Sequence, residues 1–378
     1  MRTAISIFSG AGGLDIGLKK AGFDVKLALE IENAYCETLR LNHPELNVVQ
    51  GDIMKYDRDK IYKAAGLDSE DELDLLFGGS PCQSFSTAGN RMAFEDPRGK
   101  AMLKFAELIS EIQPKVFLLE NVKGFLSVPL KHRPHNQRGE GFPPLSEEER
   151  QGSALEFLLK QIEGYNIKYR LLNAADYGVP QTRERVFFVG VRKDLNTDYE
   201  FPEPTHSKTG VNGKERWVTF GDLLNTTNFS EHNFVKYTPE RLKYMKLIPQ
   251  GGGNWRDLPE SIVKEAMGGA YKSGGGKVGF FRRLWTDRPA PTVLTSPNQK
   301  STNLGHPFED RPLSVEEYLA IQGFPLDYKV SGSIAKQYIQ IGNAVPTHLA
   351  KVLGDSILKL LVKGEENREK QYQLSLVF

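Results

Sequence analysis

Cysteine is scarce in this chain: Cys36 and Cys82 are the only two among 378 residues. Two thiols build neither a disulfide framework nor a zinc site, so no metal is expected. Cys36 falls in a segment that reads as helix over 32–41, where a buried structural thiol is the expectation. Long apolar runs are missing as well. Residues 116–119 and 186–191 are strand-length, against the roughly 20 needed to cross a bilayer. The first residues lack the apolar stretch and cleavage site of a signal peptide. A cytoplasmic location with no membrane partner is therefore expected. Net charge is also close to absent, at +1, which alone gives no sign of a nucleic-acid binder. Its distribution is uneven. Residues 1–100 carry 12 Lys/Arg against 16 Asp/Glu, a net of −4, whereas residues 201–300 carry 15 against 9, a net of +6. A local phosphate-facing surface requires such a concentration of positive charge.

The first half alternates strand and helix. Strands are predicted over 3–8, 25–30, 47–50, 73–77, 116–119, 167–174 and 185–191, with helices over 14–21, 32–41, 100–112 and 155–162. This pattern predicts an α/β fold with a doubly wound, mostly parallel seven-stranded sheet. Ligands of such sheets lie outside the C-terminal strand ends. Residues 126–152, with four prolines and Glu147-Glu148-Glu149, interrupt the alternation and read as a surface insertion. From about 195 to 300 the alternation is lost, Gly251-Gly252-Gly253 and Gly274-Gly275-Gly276 occur, and a separate loop-rich unit is expected. Order returns with helices over 315–321 and 347–362, and the last fifteen or so residues are expected to fray.

The informative residues sit at the strand ends. Phe8-Ser9-Gly10-Ala11-Gly12-Gly13-Leu14 follows the first strand and opens a helix, so its glycines let the backbone approach a ligand. Glu30 ends the second strand, where a carboxylate can accept from a ribose diol. Asp52 follows the third, within reach of an adenine amino group. These residues describe an adenosine site without separating a nicotinamide cofactor from S-adenosylmethionine. The fourth strand delivers Ser80-Pro81-Cys82-Gln83. Pro81 fixes its own φ and restricts Ser80, so the Cys82 thiol is held in one direction as a candidate nucleophile. Glu120-Asn121-Val122 ends the fifth strand and is expected beside it. A cysteine paired with a carboxylate, and no histidine, fits no protease dyad. It fits a cytosine ring, with thiolate attack at C6 and a buried, protonated Glu120 at N3. In Gln181-Thr182-Arg183-Glu184-Arg185 the two arginines are two apart. In extended chain they face one side, one toward the cytosine carbonyl and the other toward a phosphate.

Taken together, these segments resemble the C5-cytosine-specific DNA methyltransferases, of the bacterial restriction-modification type. The likeness covers about 240 residues and includes Gln322-Gly323-Phe324-Pro325 and Gln340-Ile341-Gly342-Asn343-Ala344-Val345-Pro346. It implies that S-adenosyl-L-methionine is bound by Phe8, Gly10, Gly12, Gly13, Leu14, Glu30, Ile31, Asp52, Ile53, Pro81, Asn343, Ala344 and Val345. It implies catalysis by Cys82, Glu120, Arg183 and Arg185 on a cytosine flipped from the duplex. It places cofactor binding and catalysis in residues 1–194, completed by 335–378, and target recognition and hinge in 195–334. Gln83, Ser86, Arg98, Arg282, Arg283, Arg288 and Thr292 are the DNA-contact candidates it leaves. A monomer acting on double-stranded DNA is expected, with a cognate restriction endonuclease sharing the site but not forming a stable complex. Three rivals remain: a tRNA cytosine methyltransferase of the same family, a catalytically silent relative, and a nicotinamide-dependent oxidoreductase.

Overall fold

Apolar strands alternating with amphipathic helices commit the first half of the chain to a sheet buried on both faces. The structure, a computed structural model, describes residues 1–81, 94 and 96–375. The chain divides into two compact units. One is Met1–Leu172 with Glu184–Glu203 and Ala350–Phe378; the other is Asn173–Arg183 with Pro204–Leu349.

The first unit runs β1 (Arg2–Ile7), α1 (Gly13–Ala21), β2 (Phe23–Glu30), α2 (Asn33–Asn42), β3 (Asn47–Gln50), α3 (Arg58–Ala65), β4 (Leu75–Gly79), α4 (Pro97–Ile112), β5 (Val116–Val122), α5 (Ser153–Lys160) and β6 (Tyr165–Asn173). The two-residue β7 (Gln181–Thr182) belongs to the second unit, and β8 (Glu184–Arg192) returns to the first. The seven-stranded sheet has the order β3-β2-β1-β4-β5-β8-β6. Strands β1 to β5 pair in parallel and β8 lies antiparallel to β5. The chain winds outward from β1 to β3, then restarts at β4 on the other side of β1. That switch between β1 and β4 opens a crevice at their C-terminal ends. Ile5, Leu27, Leu76, Phe105, Phe117 and Leu119 are buried beneath it. Cys36 is buried as expected, with Sγ 3.5 Å from Glu30 O, and burial pushes its thiol up to about 11.

Two expectations need correction. The C-terminal residues continue α11 (Thr347–Ser375) instead of fraying after 362. Glu365 pairs with Arg2 and Lys115, Arg368 with Glu72, and Asn367 Nδ2 donates to Asn196 O at 3.0 Å, so the polar turns are tied down by charge where apolar burial is absent. Secondly, the second unit begins before 195 and extends past 334. Its helices α6 (Phe220–Thr226), α7 (Pro239–Met245), α8 (Glu260–Met267), α9 (Val315–Gln322) and α10 (Ile334–Asn343) are short and joined by loops. Tyr237, Tyr244, Met245, Ile248, Leu258, Val263, Met267 and Phe281 form a core of its own. Gln322 Nε2 donates to Ile341 O at 2.7 Å and to Ala344 O at 3.0 Å, which fastens the end of α10 to α9.

The insertion over 126–152 is mostly exposed. Arg133 grips Glu149 through Nε at 2.8 Å and Nη2 at 2.5 Å, and Ser146 with Glu149 forms a reciprocal cap, so it is locally braced.

Candidate active site

The strand register brings the predicted residues to one edge. Ile7 pairs with Leu29 and with Gly78, Glu30 with Gln50, Gly79 with Glu120, and Val122 with Arg185. The double glycine ending β4 has a steric cause. A Cβ on Gly78 would stand 2.4 Å from Ile7 O, and one on Gly79 would stand 3.0 Å from Glu120 Oε2. The Glu120 carboxylate thus lies directly over the last residue of β4. Its other oxygen is 3.0 Å from Arg185 Nε, and its side chain is buried. Asn121 Nδ2 donates to Ser80 Oγ at 2.8 Å and Ser80 N donates to Glu120 O at 3.3 Å, locking the Ser80-Pro81 step onto β5. Cys82, Gln83 and Ser86 lie outside the described residues, and Arg98 is described only as part of α4.

The glycine loop beyond β1 is shaped by left-handed backbone. Gly12 caps α1 at φ 82 with no side-chain hydrogen bond, which leaves the first-turn amides for a ligand. Phe8 also has a positive φ, 57, rare and costly for a residue with a Cβ; its N–H donates to Leu29 O at 3.0 Å. Glu30 supports this loop. Its Oε2 accepts from Gly10 N at 2.8 Å, and its Oε1 accepts from Ile31 N at 2.8 Å and Glu32 N at 3.0 Å. Burial raises its pKa against those three donors. Gly13 and Leu14 are buried in the first turn of α1, while Ile31 is 57% exposed, an uncovered apolar side chain beside a buried carboxylate. Asp52 accepts from Met54 N at 3.0 Å and is followed by buried Ile53. Asp15, which sequence reasoning passed over, is fully buried beneath the same loop, and burial pushes its carboxyl up to about 6.

The Gln-x-Arg-x-Arg segment does not act as one face. Arg183 is buried in the second unit, donating to Val293 O at 3.3 Å and, through Nη2, to Gly342 O at 3.0 Å and Asn343 O at 3.4 Å. Arg185 reaches Glu120 in the first unit. The expected shared orientation of the two arginines is therefore corrected: residue 183 precedes β8, so strand alternation does not govern it. Gln181 completes the second-unit side, with Nε2 donating to Gln322 Oε1 and Oε1 accepting from Val293 N, both at 2.9 Å. These bonds pin the segment carrying Asn343, Ala344 and Val345, where Gly342 meets Leu294 O so closely that a Cβ would come within 2.4 Å.

Among the DNA-contact candidates, Arg283 is corrected. It is 1% exposed and donates to Ile248 O, Met245 O, His306 O and Glu309 O while pairing with Asp310, so its guanidinium is spent inside the second unit. Arg282 is only partly buried, Arg288 is exposed beside Asp287, and Thr292 donates to Thr182 O at 2.8 Å. Sequence reasoning missed Lys208, Arg216, Trp217 and Trp285, which line a cavity with Arg282 and Arg288. The available signal was that all three tryptophans of the chain, two of them lining this cavity, lie inside the basic block.

Comparison with known proteins agrees with this geometry. The family described as C-5 cytosine-specific DNA methylase matches residues 2–359. The Type II methyltransferase M.Sau96I of Staphylococcus aureus is 38% identical, over 94% of this chain and 75% of its own. M.Eco47II of Escherichia coli is 39% identical, over 96% of this chain and 80% of its own. An E. coli crystal structure described as a prophage-encoded DNA modification methyltransferase superposes with TM-score 0.64 at 25% identity, covering 96% of this chain and 99% of that one. With a glycine loop, a braced Glu-Asn-Val strand and a family match over nearly its whole length, the chain belongs to the C-5 cytosine-specific DNA methylases and is a DNA (cytosine-5-)-methyltransferase.

Proposed function

We propose that the chain methylates C5 of a cytosine flipped out of a specific short sequence in duplex DNA, through a covalent bond between Cys82 and C6, as a restriction-modification enzyme. The observation that carries this reading is the buried Glu120 carboxylate, braced by Arg185 above Gly79, which lies three residues before Cys82 in the sequence. S-adenosyl-L-methionine supplies an electrophilic methyl group when bound. The glycine loop and Gly12-capped α1 suit its charged amino-acid end, Glu30 its ribose, and Ile31 with Asp52 its adenine. Asp52 keeps lone pairs beyond the one used by Met54 N.

The chain's own residues do the rest. Cys82 thiolate adds to C6, and its electron pair makes C5 nucleophilic. Arg185 Nε holds Oε1 of Glu120 at 3.0 Å, and the Glu120 carboxyl serves N3. After transfer a base takes the C5 proton and the Cys82–C6 bond breaks, which restores the thiolate. A target inside the stack cannot be attacked at C6, so extrusion is required.

A duplex carrying 5-fluorocytosine at the target tests this, because fluorine does not leave as a proton and the adduct persists on a denaturing gel. Wild type is expected to form it; Cys82→Ala is expected to bind the same duplex and form none. An adduct from Cys82→Ala would show another nucleophile. Glu120→Gln is expected to slow methyl transfer by about 10²–10⁴-fold. Bisulfite sequencing of plasmid from expressing cells reads the target motif, and methylation of tRNA but not duplex DNA would overturn the substrate.

A further inference from the structure

Beneath the glycine loop lies a charge that the chemistry above does not use. Asp15 sits in the first turn of α1 and is fully buried. Neither of its carboxylate oxygens has a hydrogen bond of ordinary geometry among the described residues. Burial pushes the carboxyl up to about 6, against the buried Ser6 hydroxyl of β1, which favours the anion. Ser6 Oγ in turn accepts from Ser9 Oγ at 2.8 Å. Ser9 belongs to the loop, so two buried hydroxyls link Asp15 to the segment that faces the ligand.

The charges around Asp15 leave it poorly matched. Lys19, one turn further along α1, acts on it but is paired with Glu45. Glu30 of β2 is buried as well and adds a second negative charge. Helix α11 packs against α1 at Gly354, where a Cβ would stand 2.7 Å from that of Ala21, and its Lys351 and Asp355 pair with each other at 2.7 Å. The dipole of α1 puts partial positive charge at its first turn, but burial outweighs it. Glu30 has three N–H donors to hold its charge, and Asp15 has none. A buried carboxylate without hydrogen bonds or a paired cation is costly, and a cationic ligand nearby offsets that cost.

The cofactor and its product differ in this one respect. S-adenosyl-L-methionine carries a net positive charge, on its sulfonium. S-adenosyl-L-homocysteine, which remains after methyl transfer, is net neutral. The two share ribose, adenine and amino-acid groups, so Glu30, Asp52 and the first-turn amides meet the same atoms in both. A fixed negative charge under the loop separates them.

We propose that Asp15 is the residue that selects the cationic cofactor over its neutral product, its buried negative charge holding the sulfonium form through the floor of the loop and loosening its hold once the methyl group has gone. This rests on the reading that S-adenosyl-L-methionine binds at the glycine loop. Asp15 is covered, so it acts through its field and touches no ligand. Methyl transfer leaves the C–S electron pair on sulfur, and the site loses one positive charge. Near pH 6 the Asp15 carboxyl then takes up a proton from water.

Calorimetric titration of the full chain with each compound, between about pH 5 and pH 8, tests this. In wild type the ratio of the two affinities should fall by about 10-fold as pH drops through 6, because only the cationic compound displaces the Asp15 proton. Glu30 meets groups common to both compounds, so its own titration largely cancels in the ratio. Asp15→Asn keeps the shape and removes the charge. It should lower affinity for S-adenosyl-L-methionine by about 10-fold near pH 8, leave S-adenosyl-L-homocysteine within about 2-fold, and make the ratio flat with pH. Repeating the wild-type titrations near pH 6 in buffers of different ionisation enthalpy should show proton release with the first compound and none with the second. That measurement needs no variant, so it decides even where Asp15→Asn does not fold. A wild-type ratio independent of pH, or an equal loss for both compounds in Asp15→Asn, overturns the role of Asp15 and leaves the cofactor reading intact. Wild type that binds neither compound overturns the cofactor reading and this inference with it.

Discussion

Two clusters of basic side chains in this protein differ in one respect: in one every cation is matched by a carboxylate, and in the other only Arg288 is, by Asp287. Around the N-terminal ends of the sheet strands, Lys115 meets Asp74 and Glu365 at 2.8 Å each, Arg2 meets Glu365 and Asp74, and Arg192 and Arg368 share Glu72. Every cation there has an anion, and the network ties α11 to β1, β5 and β8. In the second-unit cavity, Lys208, Arg216 and Arg282 have no ion pair among the described residues. The same contrast appears within one dipeptide. Arg283 spends its guanidinium on four carbonyls and Asp310, while Arg282, its neighbour, keeps two terminal nitrogens for the cavity. Charge count alone does not mark a binding surface; charge left without a partner does.

Substitution at Arg283 should break the comparison most severely. Arg283→Ala strands four buried carbonyls and Asp310, and should cost about 3–5 kcal/mol of folding stability. Denaturant unfolding measures this, and a loss near zero would show that the buried arginine is dispensable. Lys115→Met comes next, at about 2–3 kcal/mol near neutral pH. Its pH dependence is the sharper reading. Hydrogen bonds from Arg2 and then Lys115 hold Glu365 at about 2; at Glu72, burial is outweighed by hydrogen bonds from Arg368 and Arg192, which also leave it at about 2. Both lie below the ordinary 4.5, so their stabilisation is present above that value and is lost as pH falls toward 2. The gap between wild type and Lys115→Met should therefore narrow across that window, and a gap constant from pH 7 to 2 would show that the pairing is not what Lys115 contributes. Arg288→Ala should change stability least, by under about 1 kcal/mol, because its pair with Asp287 is solvent-exposed. Its duplex affinity should still lose salt dependence, which separates a rim cation from a scaffold one.

The placement of much of the candidate site along one sheet edge was legible in the sequence. Glu30, Asp52, Ser80-Pro81 and Glu120 fall at consecutive strand ends because parallel strands of similar length end on one edge, so a sequence pattern of strands suffices to collect them. Arg183 was not legible. Its spacing from Arg185 implies a shared face only if both belong to a strand, and β8 begins at Glu184. The helix past residue 362 was equally hidden, since its polar turns are held by Arg2, Lys115 and Asn196, far away in the chain.

By itself the sequence determined the α/β sheet, the order of the motifs and the residues that meet at the crevice, because strand periodicity and glycine chemistry act locally. Only the tertiary structure decided which arginines are spent and which are open. A guanidinium is satisfied by carbonyls and carboxylates from dozens of residues away, and no spacing along the chain records that.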